Sequence, residues 1–180
     1  HSIWDCTLEV ADFDRSRILR RHAEMRDVIK TAHAVRLGFR QIKGLSKKSM
    51  NAFVERRGAG YRSVRDIWLR SGLNVDDIER LAQADAFRSI GLDRREALWA
   101  VRALDGKSAA EKLPLFDLAG PPLRDNEPET KLPLMPLGEH VIHDYRSLGL
   151  SLKAHPVSFL RQRLDQTGVT PNEKLTDVPN

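Results

Sequence analysis

The sequence predicts a mainly α-helical fold that carries a small antiparallel β-hairpin at its N-terminal end. Two observations support this prediction. After residue 46, short segments with apolar residues at helical spacing each begin at a capping side chain and end near a glycine. Near the start of the chain, two segments alternate apolar and polar residues as half-buried β-strands do. Helical patterns also follow a later proline-rich stretch, so we expect a C-terminal helical extension.

The N-terminal end predicts two paired strands. Residues 2–10 form the first strand, with one face buried and the other in water. Residues 34–41 form the second strand, which we expect to pair with the first in antiparallel order. Between them, residues 12–33 predict a helical excursion whose outer face carries several arginines.

A sharp turn separates the second strand from the first predicted helix. Ser46 is a good N-cap, and the helix runs to Arg57 with a stripe of apolar residues. Its first turn carries Lys47 and Lys48, which the positive end of the helix dipole disfavours. Lysines suit this place if a phosphate sits in the turn, where unpaired backbone N–H groups point. The predicted DNA-binding residues are Lys43, Gly44, Leu45, Ser46, Lys47 and Lys48.

Two helices that meet at a glycine-bearing turn and hold a phosphate there form a helix-hairpin-helix. Further helices begin at Ser63, Asn74 and Asp93, and the tight turn before Asp93 is a candidate second hairpin. Its basic side chains are mixed with acidic ones, so we favour a structural role for it over DNA contact. Residues 42–105 are therefore predicted to form a tandem helix-hairpin-helix domain. For the first turn, a capped helix with merely solvated lysines remains the alternative.

The C-terminal part changes character. Residues 106–136 are rich in proline and predict a linker, which contains an apolar island at residues 112–117. Residues 137–180 form the C-terminal extension, with helices predicted over residues 137–148 and 157–164.

The composition narrows the class of function. Of the 180 residues, 41% are apolar and 31% are charged, which is ordinary for a globular protein, whereas 6% are aromatic. So few aromatic side chains argue against a stacking platform for single-stranded nucleic acid. The net charge is +5, and residues 12–65 hold 15 basic side chains against five acidic ones. This excess favours an acidic partner such as nucleic acid.

Cysteine content and hydropathy indicate the compartment. Cys6 is the one cysteine of the sequence, so no internal disulfide can form. A chain without disulfides fits a reducing compartment, and we expect a cytoplasmic protein. The sequence holds no apolar run of membrane-spanning length, so we expect no membrane partner.

Few residues suggest chemistry. His140 and His143 are three residues apart on one predicted helix face, a spacing that could hold a metal ion. No further ligand cluster points to the same place, so we favour solvated or core-edge histidines. The sequence has no glycine-rich nucleotide loop, no nucleophile paired with a base and no acidic cluster for two metal ions. We therefore predict no catalytic residue, no metal site and no cofactor within these 180 residues.

Several segments resemble the error-prone DNA polymerases of bacteria, the mutagenic branch of the polymerase III alpha-subunit (C) family. The segments are Trp4-Asp-Cys-Thr-Leu-Glu9, residues 34–45, residues 84–99, Leu113-Pro-Leu-Phe116 and residues 145–157. The resemblance covers nearly the whole chain and is weakest in the basic excursion and the tail.

The resemblance implies a function. It places residues 1–41 at the end of the fingers and residues 42–105 in the tandem helix-hairpin-helix domain that grips duplex DNA. Residues 137–180 would lead into an OB-fold. The catalytic aspartates of the palm, with their Mg²⁺, would lie upstream. The chain would then be a non-catalytic, duplex-DNA-binding region of a damage-induced translesion polymerase, which is a nucleotidyltransferase.

The resemblance also implies two protein partners, a Y-family-like adaptor and the sliding clamp. Replicative relatives carry a clamp-binding peptide led by glutamine about where Leu113, Leu115 and Phe116 stand, and this sequence lacks that glutamine. We favour packing of this island on the domain over clamp binding. A module that docks the adaptor or the clamp is nevertheless the second functional hypothesis. The hairpin domain of a free-standing repair nuclease is the third, and the lack of an acidic cluster counts against it.

One departure concerns the predicted phosphate site itself. The family hairpin commonly has a second glycine where this sequence has Ser46. Serine can cap the helix but does not share the backbone freedom of glycine. The backbone conformation at Ser46 therefore decides whether the turn keeps the family geometry.

Overall fold

The computed structural model describes residues 1–10, 33–104 and 132–177. Within these ranges two short strands precede six α-helices. The elements are β1 (Thr7–Val10), β2 (His33–Arg36), α1 (Lys47–Glu55), α2 (Val64–Ser71), α3 (Val75–Gln83), α4 (Arg94–Arg102), α5 (Leu137–Leu148) and α6 (Arg161–Gln166). The predicted fold class, mainly helical with a small antiparallel hairpin, is confirmed. No helix in the described ranges is long and apolar enough to cross a bilayer.

The two strands pair in antiparallel order, as predicted, with Leu8 opposite Val35. The second strand nevertheless ends at Arg36, so the predicted strand over residues 34–41 is too long. Gly38 explains the end, because a Cβ there would lie 2.4 Å from the carbonyl oxygen of Trp4. The two chain segments are in such close contact that only glycine fits. The backbone then turns into a 3₁₀ helix over Phe39–Gln41.

The apolar face of this hairpin is not buried, which corrects the prediction of a half-buried sheet. Leu8, Val10 and Val35 are 70%, 83% and 62% exposed. An alternating pattern reports only that one face differs from the other, and burial requires a partner layer. Within the described residues that layer is missing, because the core lies among the helices. The predicted excursion over residues 12–33 lies outside the described residues, except for His33.

Each of the first four helices begins at the side chain that the sequence predicts. Ser46, Ser63, Asn74 and Asp93 all have extended backbone conformations, and each accepts a hydrogen bond from the backbone N–H three residues later. These bonds satisfy N–H groups that a helix start leaves without a partner. Asp93 also forms a full capping box with Glu96.

One apolar cluster fills the space between the first four helices. Phe39 and Phe87 both belong to it, and each stands shortly before a glycine-bearing turn. Phe39 meets Phe53 of α1 edge to face, with ring centroids 5.7 Å apart. The other buried members are Ile42, Met50, Val64, Ile67, Trp68, Leu73, Ile78, Leu81, Ala82, Ala97, Val101 and Leu104. The aromatic anchors therefore fix both turns to the core.

The C-terminal part packs on this helical unit through α5. Val141 is buried and Leu148 packs against the core, as the helical pattern predicts, whereas Ile142 and Tyr145 are 59% and 40% exposed. The helix predicted over residues 157–164 is α-helical only in its second half. A 3₁₀ helix over Pro156–Leu160 comes first, and α6 begins only at Arg161. The bond from the Ser158 N–H to the His155 carbonyl tightens the chain at this point.

Candidate nucleic-acid interface

The first hairpin turn, residues 42–48, joins the 3₁₀ helix Phe39–Gln41 to α1. Gly44 has φ +85°, in the left-handed region that favours glycine. Ser46 is extended, with φ −97° and ψ 144°, and its Oγ accepts the Ser49 N–H at 3.0 Å. Any residue can adopt that conformation, so serine in place of the second family glycine introduces no backbone strain here.

Four backbone N–H groups of this turn have no hydrogen-bond partner among the described residues. They belong to Gly44, Ser46, Lys47 and Lys48. The neighbouring N–H of Lys43 is used differently, since it donates to the carbonyl of Ser147 in α5 at 3.0 Å. Unpaired N–H groups at the positive end of a helix are the donors with which proteins hold phosphate and other anions.

The cationic side chains of the first turn are available to a ligand. Lys43, Lys47 and Lys48 are exposed, and none pairs with a carboxylate in the described part of the chain. The first turn of α1 also holds no acidic residue. On the exposed side of α1, Lys47 and Lys48 border a shallow groove that continues past Asn51 to Glu55. The structure thus brings together every residue predicted for phosphate binding.

The second hairpin turn, residues 89–95, repeats the first in sequence. Phe39-Arg-Gln-Ile-Lys-Gly-Leu-Ser-Lys-Lys48 and Phe87-Arg-Ser-Ile-Gly-Leu-Asp-Arg-Arg95 share Phe-Arg, Ile and Gly-Leu, and differ by one inserted lysine and four substitutions. Both turns follow a 3₁₀ helix, both have a left-handed glycine, and both end at the N-cap of an α-helix. The chain therefore contains two structural copies of one turn.

The two arginines that follow the cap of the second turn pair with other residues of the protein. Arg94 is fully buried and forms an ion pair with Asp144 of α5, and it also donates to the His140 carbonyl at 3.0 Å. Arg95 donates to Glu139 at 2.7 Å and to the Pro133 carbonyl at 2.9 Å. These contacts hold α5 against α4. They support the structural role that the sequence favours for this turn.

The carboxylate that receives Arg94 is held in a buried polar cluster. Asp144 also accepts hydrogen bonds from Ser151 at 2.8 Å and from Lys153 at 3.2 Å. Lys153 reaches Asp85 as well, at 3.0 Å. Burial raises the pKa of the Asp144 carboxyl group, but the bonds from Ser151, Arg94 and Lys153 outweigh it, so the pKa lies below its ordinary value.

His140, one of the two histidines of α5, contacts this cluster through Arg94. Burial, and then the charge of Arg94, lowers the pKa of both His140 and His143. The His140 Nδ1 lies 3.3 Å from the Arg94 guanidinium, a cation that a metal ion would repel. In the described ranges no group of three or more His, Cys, Asp or Glu residues could hold a metal.

Two residues near the first turn were missed in the sequence. Ser147 supplies the carbonyl that receives the Lys43 N–H, and Arg80 of α3 lies against Gly44. Neither has a local signal, because both come from helices far along the chain. The predicted partner-binding residues Leu113, Leu115 and Phe116 lie outside the described residues, as does most of the predicted linker over residues 106–136.

Two glycine turns, each anchored by a phenylalanine and each leading into a capped helix, define a protein of the helix-hairpin-helix class. The family described as helix-hairpin-helix motif matches residues 1–97, more than half of the chain. The chain belongs to this family.

Curated relatives agree with the resemblance seen in the sequence. The chain is 76% identical over 174 residues to the error-prone DNA polymerase of Mesorhizobium japonicum, covering 97% of this chain and 16% of the relative. It is 60% identical over 176 residues to error-prone DNA polymerase 1 of Rhizobium meliloti, with the same coverage. The polymerase of Ruegeria pomeroyi is 46% identical over 149 residues, covering 82% and 13%. The chain thus spans about a sixth of these relatives. No solved structure matches it significantly.

Proposed function

We propose that this chain is a non-catalytic duplex-DNA-binding region of an error-prone DNA polymerase, and that the first hairpin turn holds the DNA backbone. One observation carries the proposal. The first turn presents together backbone N–H groups and lysines that have no partner among the described residues, at a helix start that holds no acidic side chain. This is the chemistry of a phosphate site. The family and the relatives support it from a separate direction.

Such a turn would bind DNA without reading its sequence. Backbone N–H groups and lysines that contact phosphates fix the position of the protein on the duplex but do not distinguish bases. Residues 42–48 include no aromatic side chain on which an unstacked base could stack, which favours duplex over single-stranded DNA. A polymerase needs this kind of grip, because the enzyme must hold any sequence that it copies.

The wider biology of the protein follows by relation to its relatives and is part of the proposal. DNA-directed DNA synthesis, with palm aspartates and the Mg²⁺ that they bind, would belong to regions outside this chain. Synthesis past damaged bases, a role in DNA repair, a Y-family-like adaptor, the sliding clamp and a cytoplasmic location are what the resemblance to error-prone DNA polymerases implies. None of these properties is needed for the phosphate chemistry of the first turn.

The test compares two pairs of exposed cations. In the intact protein, Lys47→Ala with Lys48→Ala removes two charges from the first turn. Arg102→Ala with Arg146→Ala removes two exposed charges elsewhere and leaves the turn unchanged. Binding to duplexes of unrelated sequence is followed by fluorescence anisotropy over a series of salt concentrations.

We expect the lysine variant to reduce the magnitude of the negative slope of log K against log salt by roughly two, because about 0.9 counterions are released per phosphate contact. At about 0.15 M salt its affinity should fall roughly tenfold or more on every sequence. The arginine control should stay near the original slope. Equal slopes for the lysine variant and the unmodified protein would refute the assignment of the first turn.

Protein docking is the second candidate function, and the surface of α5 favours it. Leu137, Ile142 and Tyr145 are all at least 40% exposed, although their helical spacing suggests packing. Apolar side chains grouped on one exposed helix are typical of a partner surface. A pull-down of the adaptor or the clamp with Leu115→Ala and Phe116→Ala tests the predicted island directly. If the pull-down fails in that variant while the protein itself does not bind DNA, docking is the better account.

A further inference from the structure

Arg80 belongs to α3, yet its side chain lies against the first hairpin turn. A Cβ placed on Gly44 would meet the Arg80 side chain at three atoms, with Nε at 2.7 Å, Cδ at 3.2 Å and Cζ at 3.5 Å. Glycine is therefore needed at residue 44 for two reasons, its positive φ and the space that the arginine fills. The guanidinium group stands beside the turn in which four N–H groups have no partner among the described residues.

The guanidinium group is held in place while most of its donors stay unused. One of its nitrogens, Nη1, donates to Asp77 at 3.0 Å, and Asp77 is itself buried at the capped start of α3. No other hydrogen bond of the Arg80 side chain is formed within the described ranges, although a guanidinium has five N–H donors. The side chain is 38% exposed, so the remaining donors are accessible to a ligand.

The second hairpin turn lacks this feature. A Cβ on Gly91 would meet no atom of a described residue within 4 Å, so no described side chain stands where Arg80 stands at the first turn. The nearby Arg88 instead pairs with Asp85 at 2.9 Å. Among the described residues, the extra cation therefore accompanies the turn whose lysines have no carboxylate partner, and it has no counterpart at the turn whose arginines pair with Asp144 and Glu139.

We infer that Arg80 is a further phosphate-binding residue of the first turn, contributed by α3. This inference rests on the proposed function, since it concerns the same DNA backbone. A guanidinium presents two parallel N–H donors, which match the oxygens of a phosphate better than an ammonium group does. Because Asp77 already orients the side chain, little further ordering is required when DNA binds.

The experiment measures the salt dependence of duplex binding in the intact protein for two variants at this position. Arg80→Gln removes the charge and keeps a polar side chain of similar length. Arg80→Lys keeps the charge but removes the paired donors. Arg65→Gln, at an exposed arginine of α2, is the matched control for loss of one charge. Urea denaturation of each variant shows whether it is folded.

We expect Arg80→Gln to reduce the magnitude of the negative slope of log K against log salt by about one and to weaken affinity several-fold. Arg65→Gln should leave the slope unchanged. Arg80→Lys should keep the slope and lose part of the affinity, a result that a merely structural role would not produce. An unchanged slope for folded Arg80→Gln would overturn the inference. If the slope then still falls in Lys47→Ala with Lys48→Ala, the proposed function stands without Arg80.

Discussion

The two hairpin turns are close copies in sequence and differ in where their cations point. In the first turn, Lys47 and Lys48 are exposed and unpaired within the described ranges. In the second, Arg94 is buried against Asp144 and Arg95 pairs with Glu139. The comparison shows that basic side chains in a glycine turn can be paired with carboxylates instead of being exposed. Carboxylates of α5, more than 40 residues later in the chain, pair with the arginines of the second turn, whereas the lysines of the first turn stay exposed.

The caps of the two turns differ in the same direction. Ser46 is neutral, and its own N–H is unpaired, whereas the N–H of Asp93 is taken by the Glu96 carboxylate at 2.8 Å. Two carboxylates at the start of α4 stabilise that helix through its dipole and would repel a phosphate. The first turn of α1 holds no carboxylate to stabilise the helix dipole, and the Ser46 N–H has no acceptor among the described residues. We read this difference as the local mark of function.

The largest contrast is expected from the first basic residue after each cap. Arg94→Met leaves Asp144 buried with only Lys153 as a cationic partner and should lower the free energy of unfolding by about 2–3 kcal/mol. Lys47 is exposed to solvent, so Lys47→Met should change the free energy of unfolding by no more than about 0.5 kcal/mol. Urea denaturation measures both. Adding Asp144→Leu to Arg94→Met should recover part of the loss, and equal stability of the two single variants would contradict the described role of Arg94.

The second prediction makes the first turn resemble the second. Ser46→Asp with Ser49→Glu builds a capping box at the spacing found in α4 and should stabilise the protein by about 0.5–1 kcal/mol. The same change places two carboxylates in the proposed phosphate site, so duplex affinity should fall by roughly tenfold or more. Asp93→Ser with Glu96→Ser is the control, which should destabilise the protein and leave DNA affinity unchanged. Undiminished binding by the Ser46 and Ser49 variant would count against the site.

Alanine at the two turn glycines gives a smaller contrast. Gly44 and Gly91 have φ +85° and +82°, so each substitution should cost about 1–2 kcal/mol of stability from backbone strain alone. Only at residue 44 does the new Cβ also displace a side chain, that of Arg80. Gly44→Ala should therefore weaken duplex binding as well, while Gly91→Ala should not. Thermal denaturation and anisotropy titration separate the two effects, and equal binding by both variants would contradict the asymmetry.

The smallest effect is expected from pH at the docked α5. Because burial and Arg94 lower the pKa of His140, its neutral form is favoured in the folded protein. The unfolded chain then binds the proton more readily, so stability should decline as pH falls from about 6.5 through the lowered value. Melting temperatures between pH 7.5 and 5.5 measure this, with His140→Gln reducing the dependence, to which His143 also contributes, and His155→Gln, at an exposed position, retaining it. DNA affinity corrected for stability should not follow the same curve.

Much of the fold could be predicted because its causes are local. Ser46, Ser63, Asn74 and Asp93 cap their helices through hydrogen bonds that span only three residues, and the sequence displays both partners. Glycine turns and helical spacing depend on equally short stretches. The candidate phosphate residues, 43–48, were found the same way, and their binding of DNA remains a prediction.

Two of the predictions that were wrong concern contacts between distant segments. The second strand ends early because Gly38 lies against the backbone of Trp4 and Asp5. The hairpin is exposed on its apolar face because no described layer covers Leu8 and Val35. An alternating pattern contains neither fact, since burial depends on what packs above a sheet.

The sequence by itself determined the helices, their caps and two similar basic turns, because backbone torsions and capping hydrogen bonds act over a few residues. The tertiary structure decided which turn has exposed basic side chains and which has them paired with carboxylates. It placed Asp144 and Glu139 of α5 on the arginines of the second turn and Arg80 of α3 beside Gly44 of the first. Charges paired across 44 and 50 residues depend on how helices pack, and no local pattern encodes that arrangement.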